Sequence, residues 1–173
     1  MSADRTLLWR AMTARDIAEV QRISDLIHPD YPERDDVVTE KLMLAPSSHF
    51  IAEDSEGVVR GYAVAYPWIA NDMPQLDVFI RKLPDKPEVL YIHDVALLPS
   101  ARGGPLVSDL LKRLSQVARS QNLSGFTLAA MYGSEAAWFR HGFWRVEARD
   151  KLVDQLAPYG PAVFMSRPLD PEN

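Results

Sequence analysis

Apolar residues occupy both faces of the segment 89–98, and this pattern predicts the central strand of a sheet. Successive side chains of a strand point to opposite faces, and here each face carries mostly apolar residues. A strand that is apolar on both faces is typical of a sheet covered on both sides. The same alternation predicts that His93 and Asp94 lie on opposite faces and do not form a pair.

A helix is predicted after this strand, because Leu106, Leu110 and Leu114 recur every four residues. An apolar strand over 126–130 follows the helix. Two strands joined through a helix in this way are expected to be parallel, with a right-handed crossover.

The other segments extend the pattern along the chain. Thr13 and Asp16 give a capping-box-like start to a helix, which Pro29 and Pro32 end. Further strands are predicted over 7–12, 48–53, 58–66, 143–147 and 162–166, and further helices over 36–44, 134–141 and, within an irregular loop at 67–87, 76–82. This order predicts an α/β fold with a central mixed sheet and helices on both faces, in one domain over 1–173.

Composition supports a globular protein and excludes several kinds of chemistry. Hydrophobic residues make up 47% of the chain and charged residues 25%, which excludes a disordered or fibrous protein. The absence of cysteine excludes disulfides, thiolate nucleophiles and cysteine-based zinc sites. The four histidines lack the spacing of a metal motif, so we predict no metal site.

Hydropathy and charge also predict the surroundings of the protein. No apolar run approaches the roughly 20 residues that span a bilayer, and the N-terminal residues lack the order of a signal peptide. We therefore expect a cytoplasmic protein that does not bind membranes. The net charge of −5 argues against nucleic-acid binding, which usually requires a basic surface.

The turn after the central strand is the strongest candidate for a ligand site. Its sequence at 102–107 is Arg-Gly-Gly-Pro-Leu-Val, and a helix follows. A glycine-rich turn that enters a helix presents free backbone N–H groups and the positive end of the helix dipole, which suit a phosphate or pyrophosphate. Taken alone, the two glycines could equally mark a tight turn without a ligand.

Together with the order of the elements, this turn resembles the GNAT superfamily of N-acetyltransferases, which use acetyl-CoA. In that family the central strand ends in an apolar residue, any residue and proline, followed by the motif R/Q-x-x-G-x-G/A. Here Leu97-Leu98-Pro99 leads to the turn 102–107, and Leu110-Leu111 matches an apolar pair in the family's next helix. The family's short aromatic helix ending in Gly-Phe matches the segment 136–143. The resemblance covers residues 7–166 and is most specific over 89–143.

The resemblance implies an acyl-CoA N-acyltransferase fold and the direct transfer of an acetyl group from acetyl-CoA to a primary amine in a ternary complex. It also implies that the pantetheine arm pairs with main-chain groups of the central strand and that the pyrophosphate rests on the glycine turn. The residues implied to bind acetyl-CoA are Val95, Ala96, Leu97, Arg102, Gly103, Gly104, Leu106, Val107, Ser134 and Trp138.

Three positions depart from the family pattern. Pro105 and Val107 stand where the motif has glycine and glycine or alanine. Proline has no N–H, so one donor of the turn is missing, although proline is also favoured in the first turn of a helix. Trp138 stands where many members carry a tyrosine that acts as general acid, and an indole cannot take that role. Tyr132 is another phenol nearby in the sequence.

His93 is the predicted general base. It matches a glutamate that many family members use for this purpose, and an imidazole with an ordinary pKa of about 6.5 accepts protons near neutral pH. The alternative is a buried histidine that is hydrogen-bonded within the sheet. We expect Asp94 to be structural, capping a neighbouring loop or helix.

The acceptor groove is predicted to be lined by His28, Tyr31 and Trp68, with the loop 67–87 setting selectivity. The acceptor itself, a small molecule or a peptide amine, is not identified by the sequence. Two other interpretations stay open: an acyl-CoA-binding sensor with weak or no transfer activity, and a turn that binds a different phosphate ligand. Exposed strand edges near the C-terminus would permit a homodimer.

Overall fold

Within residues 6–171, which the computed structural model describes, seven strands form one mixed sheet. The strands are β1 (Leu8–Ala11), β2 (His49–Glu53), β3 (Val59–Trp68), β4 (Val89–Leu97), β5 (Gly125–Ala130), β6 (Trp144–Arg145) and β7 (Val163–Pro168). Their order across the sheet is β1-β2-β3-β4-β5-β7-β6. The pairing of β4 with β5 is parallel, as predicted for a strand–helix–strand unit, and the other neighbours are antiparallel.

Helices cover both faces of the sheet. They are α1 (Ile17–Ile27), α2 (Asp35–Leu44), α3 (Leu106–Ser120), α4 (Glu135–Arg140) and α5 (Lys151–Leu156). The buried leucines of α3 pack in one hydrophobic cluster with β4 and β5, while α1, α2 and α5 pack in a second cluster on the opposite face. Among the described residues, no helix is long and apolar enough to cross a membrane.

The helix predicted over 76–82 is wrong, because the segment between β3 and β4 has no regular structure. Asp77 and Arg81 adopt positive φ angles of 55° and 64°, which do not fit a helix. The segment is instead held against α2, where the Glu40 carboxylate accepts hydrogen bonds from the N–H groups of Ile80 (2.8 Å) and Arg81 (3.0 Å). The short α5 is a second difference, since the sequence pattern did not predict it.

A β-bulge interrupts β4 at His93. Asp94 is opposite Val64 and Ile92 is opposite Ala65, so β4 advances two residues where β3 advances one. A bulge of this kind breaks the alternation of side chains along the strand. His93 and Asp94 therefore both contact residues on the α1 and α2 side of the sheet, and the prediction that they lie on opposite faces is wrong.

Candidate active site

The sheet opens between β4 and β5 just after the bulge. Their parallel pairing covers Leu90–Ile92 opposite Phe126–Leu128. The N–H of Leu98 donates to the carbonyl of Arg60 on the β3 side, at 2.9 Å. Because main-chain groups of successive residues point to opposite edges of a strand, those of Val95 and Leu97 face the opening. This part of β4 is thus an edge that an extended ligand can pair with.

A cleft of about 360 Å³ lies in this opening between the strands. Most of the residues predicted for acetyl-CoA and for catalysis line it. They are His93, Val95, Leu97, Arg102, Val107, Ser134 and Trp138. His28, which was predicted for the acceptor groove, lines the cleft too. Asp94 and Tyr132 also line the cleft, although neither was predicted as a site residue. The cleft therefore gathers side chains from residues 92–97 of β4 and from the elements around them.

Six predicted residues do not line the cleft, and two of them, Gly103 and Gly104, lie in the turn between the cleft residues Arg102 and Val107. The side chains of Ala96 and Leu106 are buried in the two hydrophobic clusters, so these residues can offer only main-chain groups. Tyr31 lines a smaller neighbouring cavity. Trp68 packs edge-on against Tyr66 and lines neither cavity.

The glycine turn is open at the mouth of the cleft. Gly103 has a φ of +88°, which favours glycine, and a Cβ added there or at Gly104 would meet no atom within 4 Å. Pro105 directly precedes α3, and its carbonyl accepts the first helical hydrogen bond, from Asp109 N–H, at 2.9 Å. Gly103 and Gly104 are exposed, and the first-turn amides of the 15-residue helix have no partner within the helix. Arg102 points back to the strand and donates from Nε to the carbonyl of Leu97, at 3.0 Å.

Aromatic side chains line part of the cleft and pack beside it. Trp138 of α4 packs edge-on against Phe143, with ring centroids 5.3 Å apart. The exposed Tyr132 follows β5 at a φ of +52° and stacks on His28, with centroids 5.7 Å apart and planes 12° apart. Tyr132 therefore lies inside the cleft, while the position that carries tyrosine in many family members holds an indole.

His93 belongs to a closed, buried network. Its Nε2 lies 2.7 Å from Glu33 Oε2, and Lys41 Nζ donates to the other oxygen of that carboxylate. Its Nδ1 lies 3.2 Å from the hydroxyl of the fully buried Tyr66. Burial raises the pKa of Glu33, but the charges of His93 and Lys41 outweigh it and hold that pKa well below its ordinary value. Both ring nitrogens of His93 thus have partners.

A second carboxylate–histidine pair lies beside the first. His28 Nε2 is 2.8 Å from Asp94 Oδ1, and the hydroxyl of Tyr62 donates to Asp94 Oδ2 at 2.5 Å. Burial lowers the pKa of His28, but the hydrogen bond and charge of Asp94 raise it by more, so the pKa lies above its ordinary value. The side chains of His28 and Asp94 remain 19% and 22% exposed, toward the cleft that both of them line.

A small cavity of about 50 Å³ adjoins the cleft on the side of the long loop. Tyr31 and Leu76 border it, and it shares His28, His93, Asp94 and Met131 with the cleft. A ligand in the cleft and a ligand in the cavity would therefore both lie beside these four side chains.

A wider depression of about 590 Å³ lies between α3 and the C-terminal strand. Lys112, Arg140 and Arg167 line it, but Val95 and Leu97 do not. The cleft is the candidate active site, because the open strand edge, Arg102 and Val107 of the glycine turn, and both His28 and His93 line it.

Comparisons with known proteins identify a family and a fold. The sequence profile of the acetyltransferase (GNAT) family matches residues 14–143. A comparison with curated proteins gives no match. Among solved structures, Ard1 from Thermoplasma volcanium is 16% identical, with a TM-score of 0.69 over 95% of this chain and 99% of its own.

Two further structures share the fold. The loading GNATL domain of CurA from Lyngbya majuscula is 12% identical, with a TM-score of 0.74 over 95% of this chain and 98% of its own. Naa50 from Arabidopsis thaliana, solved with the bisubstrate analogue CoA-Ac-MVNAL, is 13% identical, with a TM-score of 0.66 over 93% and 97%. The structural likeness shows the fold, and the family match over most of the chain shows the lineage: the protein belongs to the GNAT family of acetyltransferases.

Proposed function

We propose that the protein is an N-acetyltransferase that moves the acetyl group of acetyl-CoA to a primary amine. One observation carries the proposal: the open edge of β4 leads from the glycine turn at 102–107 to the two histidine pairs within a single cleft. Family membership supports acyl transfer as the reaction. The bisubstrate analogue bound by Naa50 joins CoA to a peptide, which supports the presence of both substrates in such a fold at once.

The residues of the cleft fit acetyl-CoA. The exposed amides of Gly103, Gly104 and the first turn of α3 suit its pyrophosphate, with one donor fewer because of Pro105. Apolar side chains, among them Val95 and Val107, suit its pantetheine arm. Bound there, acetyl-CoA supplies an acetyl group on a thioester, whose thiolate is a good leaving group.

The chain contributes orientation and electrostatic stabilisation. The N–H of Leu97 faces the cleft, where it can stabilise the negative charge that develops on the acetyl oxygen during transfer. Holding amine and thioester together in one cleft supplies much of the rate. Because a thiolate leaves readily, the indole of Trp138 in the place of a tyrosine acid does not prevent the reaction.

The acceptor side of the cleft is acidic. Asp94 borders the small cavity, and Asp30 lies close enough to raise the pKa of the neighbouring Tyr132, an effect smaller than that of burial. The chain as a whole carries a net charge of −5. This charge favours an acceptor that approaches as a cationic ammonium group, on a small molecule or on a peptide.

The first test is a calorimetric titration with acetyl-CoA, CoA and NADH. We expect both CoA compounds to bind and NADH, a dinucleotide without the pantetheine arm, not to bind. Thiol release is then followed with a panel of amines: spermidine, lysine, and tetrapeptides with free or blocked N-termini. Release that depends on one of these amines supports acetyl transfer.

Two contrary outcomes have distinct meanings. CoA binding without amine-dependent thiol release would favour the acyl-CoA sensor, an alternative suggested by Pro105 and Val107 in the turn motif. Absence of CoA binding would contradict the proposal altogether and favour another phosphate ligand for the turn.

A further inference from the structure

We infer that His28 is the general base of the transfer and that Asp94 holds it in the reactive tautomer. The inference rests on the proposed function, because it assigns a residue to that reaction. It differs from the sequence prediction, which gave the role to His93.

The hydrogen bonds of His28 define its tautomer. An ionised carboxylate only accepts hydrogen bonds, so the 2.8 Å contact with Asp94 Oδ1 places the proton of the neutral ring on Nε2. The lone pair is then on Nδ1, which has no hydrogen-bond partner among residues 6–171. Tyr62 donates to the other oxygen of Asp94 and fixes the carboxylate. His28 therefore has a free acceptor nitrogen in a ring whose orientation is set.

The backbone and neighbouring rings hold His28 in place. It caps the C-terminus of α1, and its N–H donates to the carbonyl of Ser24 at 2.7 Å. Its own carbonyl accepts the N–H of Tyr31 at 3.0 Å, and Tyr132 stacks on the ring. A base that is already oriented loses little freedom when the substrate arrives.

The position of His28 is the second part of the argument. It borders both the cleft proposed for acetyl-CoA and the small cavity on the loop side. A thioester in the cleft and an amine in the small cavity would both lie beside this residue. His93 borders the same two cavities, but its side chain is 5% exposed and both nitrogens are engaged by Glu33 and Tyr66. To accept a proton from the amine, His93 would first have to break one of these contacts.

The proton balance of the step is simple. The acceptor arrives as an ammonium ion, and Nδ1 of His28 takes one of its protons. The free amine nitrogen then bonds to the acetyl carbon as the bond from that carbon to sulfur breaks, with the electron pair staying on sulfur. The nitrogen's surplus proton passes to the thiolate, giving the thiol and the amide, and the imidazolium of His28 returns its proton to solvent.

The charges around His28 determine how its titration affects the rate. The titratable groups near it are Asp94 and His93 of β4, Tyr62 of β3, Asp30, Tyr31 and Glu33 between α1 and α2, and Tyr132 after β5. The carboxylate of Asp94, in direct contact, raises the pKa of His28 above its ordinary value. A base must be unprotonated to act, so kcat/KM should rise with pH through that raised pKa.

The test compares His28→Gln with the matched variant His93→Gln, using acetyl-CoA and the most active amine of the panel. Glutamine keeps a donor for the neighbouring carboxylate in each case but has no basic nitrogen. We expect His28→Gln to lower kcat/KM about 10²-fold or more and to remove the rising limb of its pH profile, with the Kd for CoA unchanged. His93→Gln should keep the rising limb. Added imidazole should partly restore the rate of His28→Ala.

A spectroscopic measurement on the free protein tests the tautomer without any acceptor. In long-range ¹H–¹⁵N spectra of the histidine rings, His28 should be an Nε2–H tautomer that titrates at a raised pKa, and this signal should disappear in His28→Gln. An Nδ1–H tautomer for His28 would overturn the inference. Retention of the rising limb in His28→Gln, or its loss in His93→Gln, would do the same.

Failure of the proposed function would look different. In that case the wild-type protein would release no thiol with any amine, whatever the tautomer of His28. Such a protein needs no base, and the assignment would fall together with the function.

Discussion

Two carboxylate–histidine pairs lie side by side on one face of the sheet, and they differ in what surrounds them. Glu33 and His93 form the closed pair: their side chains are 8% and 5% exposed, and Lys41 and Tyr66 complete their hydrogen bonds. Asp94 and His28 form the open pair: they border the cleft, and Nδ1 of His28 has no hydrogen-bond partner among residues 6–171.

The comparison shows that residue type alone does not assign a catalytic role. Each pair consists of a carboxylate and an imidazole, and each places a histidine at the border of both cavities. In the closed pair both carboxylate oxygens and both ring nitrogens have hydrogen-bond partners. The pair is therefore suited to holding the α1–α2 connection against β4. In the open pair a lone pair remains available to a substrate, which a general base requires.

The largest expected effect is a loss in the free energy of unfolding when the closed pair is broken. Lys41 is fully buried and neutralises Glu33, so Lys41→Met leaves a buried carboxylate with one cationic partner fewer. Removing one partner from a buried ion pair destabilises proteins by about 3–5 kcal/mol. We expect a loss of that size in the free energy of unfolding, measured by urea denaturation.

The double variant Glu33→Gln/Lys41→Met is the control for this prediction. It removes both charges, so it should recover part of the stability that Lys41→Met loses. A single Lys41→Met variant as stable as the wild type would mean that the network is not closed as described, and the contrast between the two pairs would lose its basis.

The second prediction concerns the open pair. Asp94→Asn keeps the size of the side chain but removes the charge that orients His28. We expect kcat to fall about 10-fold to 100-fold, less than in His28→Gln, because the imidazole itself remains. Loss of the carboxylate should also lower the pKa of His28, which moves the rising limb of the pH profile to lower pH.

The shift of the rising limb along the pH axis distinguishes a positioning role of Asp94 from a purely structural one. A variant that is merely less stable would lose activity without moving the limb, and it would unfold at a lower urea concentration. An unmoved limb in a well-folded Asp94→Asn variant would therefore argue against the Asp94–His28 pair as the source of the raised pKa.

The strands and the larger helices could be predicted from the sequence because their buried apolar residues recur at a regular spacing. The strand at 89–98 and the leucines of α3 carry the clearest patterns, and both elements occur where expected. The segment 76–82 failed because its conformation depends on α2, whose Glu40 holds the loop backbone in place. A local sequence pattern carries no information about a contact between two residues, such as Glu40 and Ile80, that are 40 positions apart.

The site could be predicted in part. The glycine turn and the central strand lie in contiguous sequence, and most of the residues inferred from them line the cleft. The open pair could not be predicted, because His28 and Asp94 are 66 residues apart and a β-bulge moves Asp94 onto the same side as His93. Strict alternation, the only information that one strand offers, places the two residues on opposite faces.

The smallest expected effect lies away from both pairs and tests whether they are independent of CoA binding. Pro105→Ala restores the N–H that the turn lacks, at a position that already has a helix-compatible φ of −75°. One added hydrogen bond contributes about 0.5–1.5 kcal/mol, so the Kd for CoA should fall by a factor of about 2 to 12 in calorimetry. The rising limb of the pH profile should not move, because the side-chain hydrogen bonds of His28 and His93 within residues 6–171 go to Asp94, Glu33 and Tyr66 and not to the turn. An unchanged Kd would mean that this amide does not face the pyrophosphate. A moved limb would mean that the turn and the open pair are coupled, and the division of the cleft into a binding end and a proton-transfer end would have to be given up.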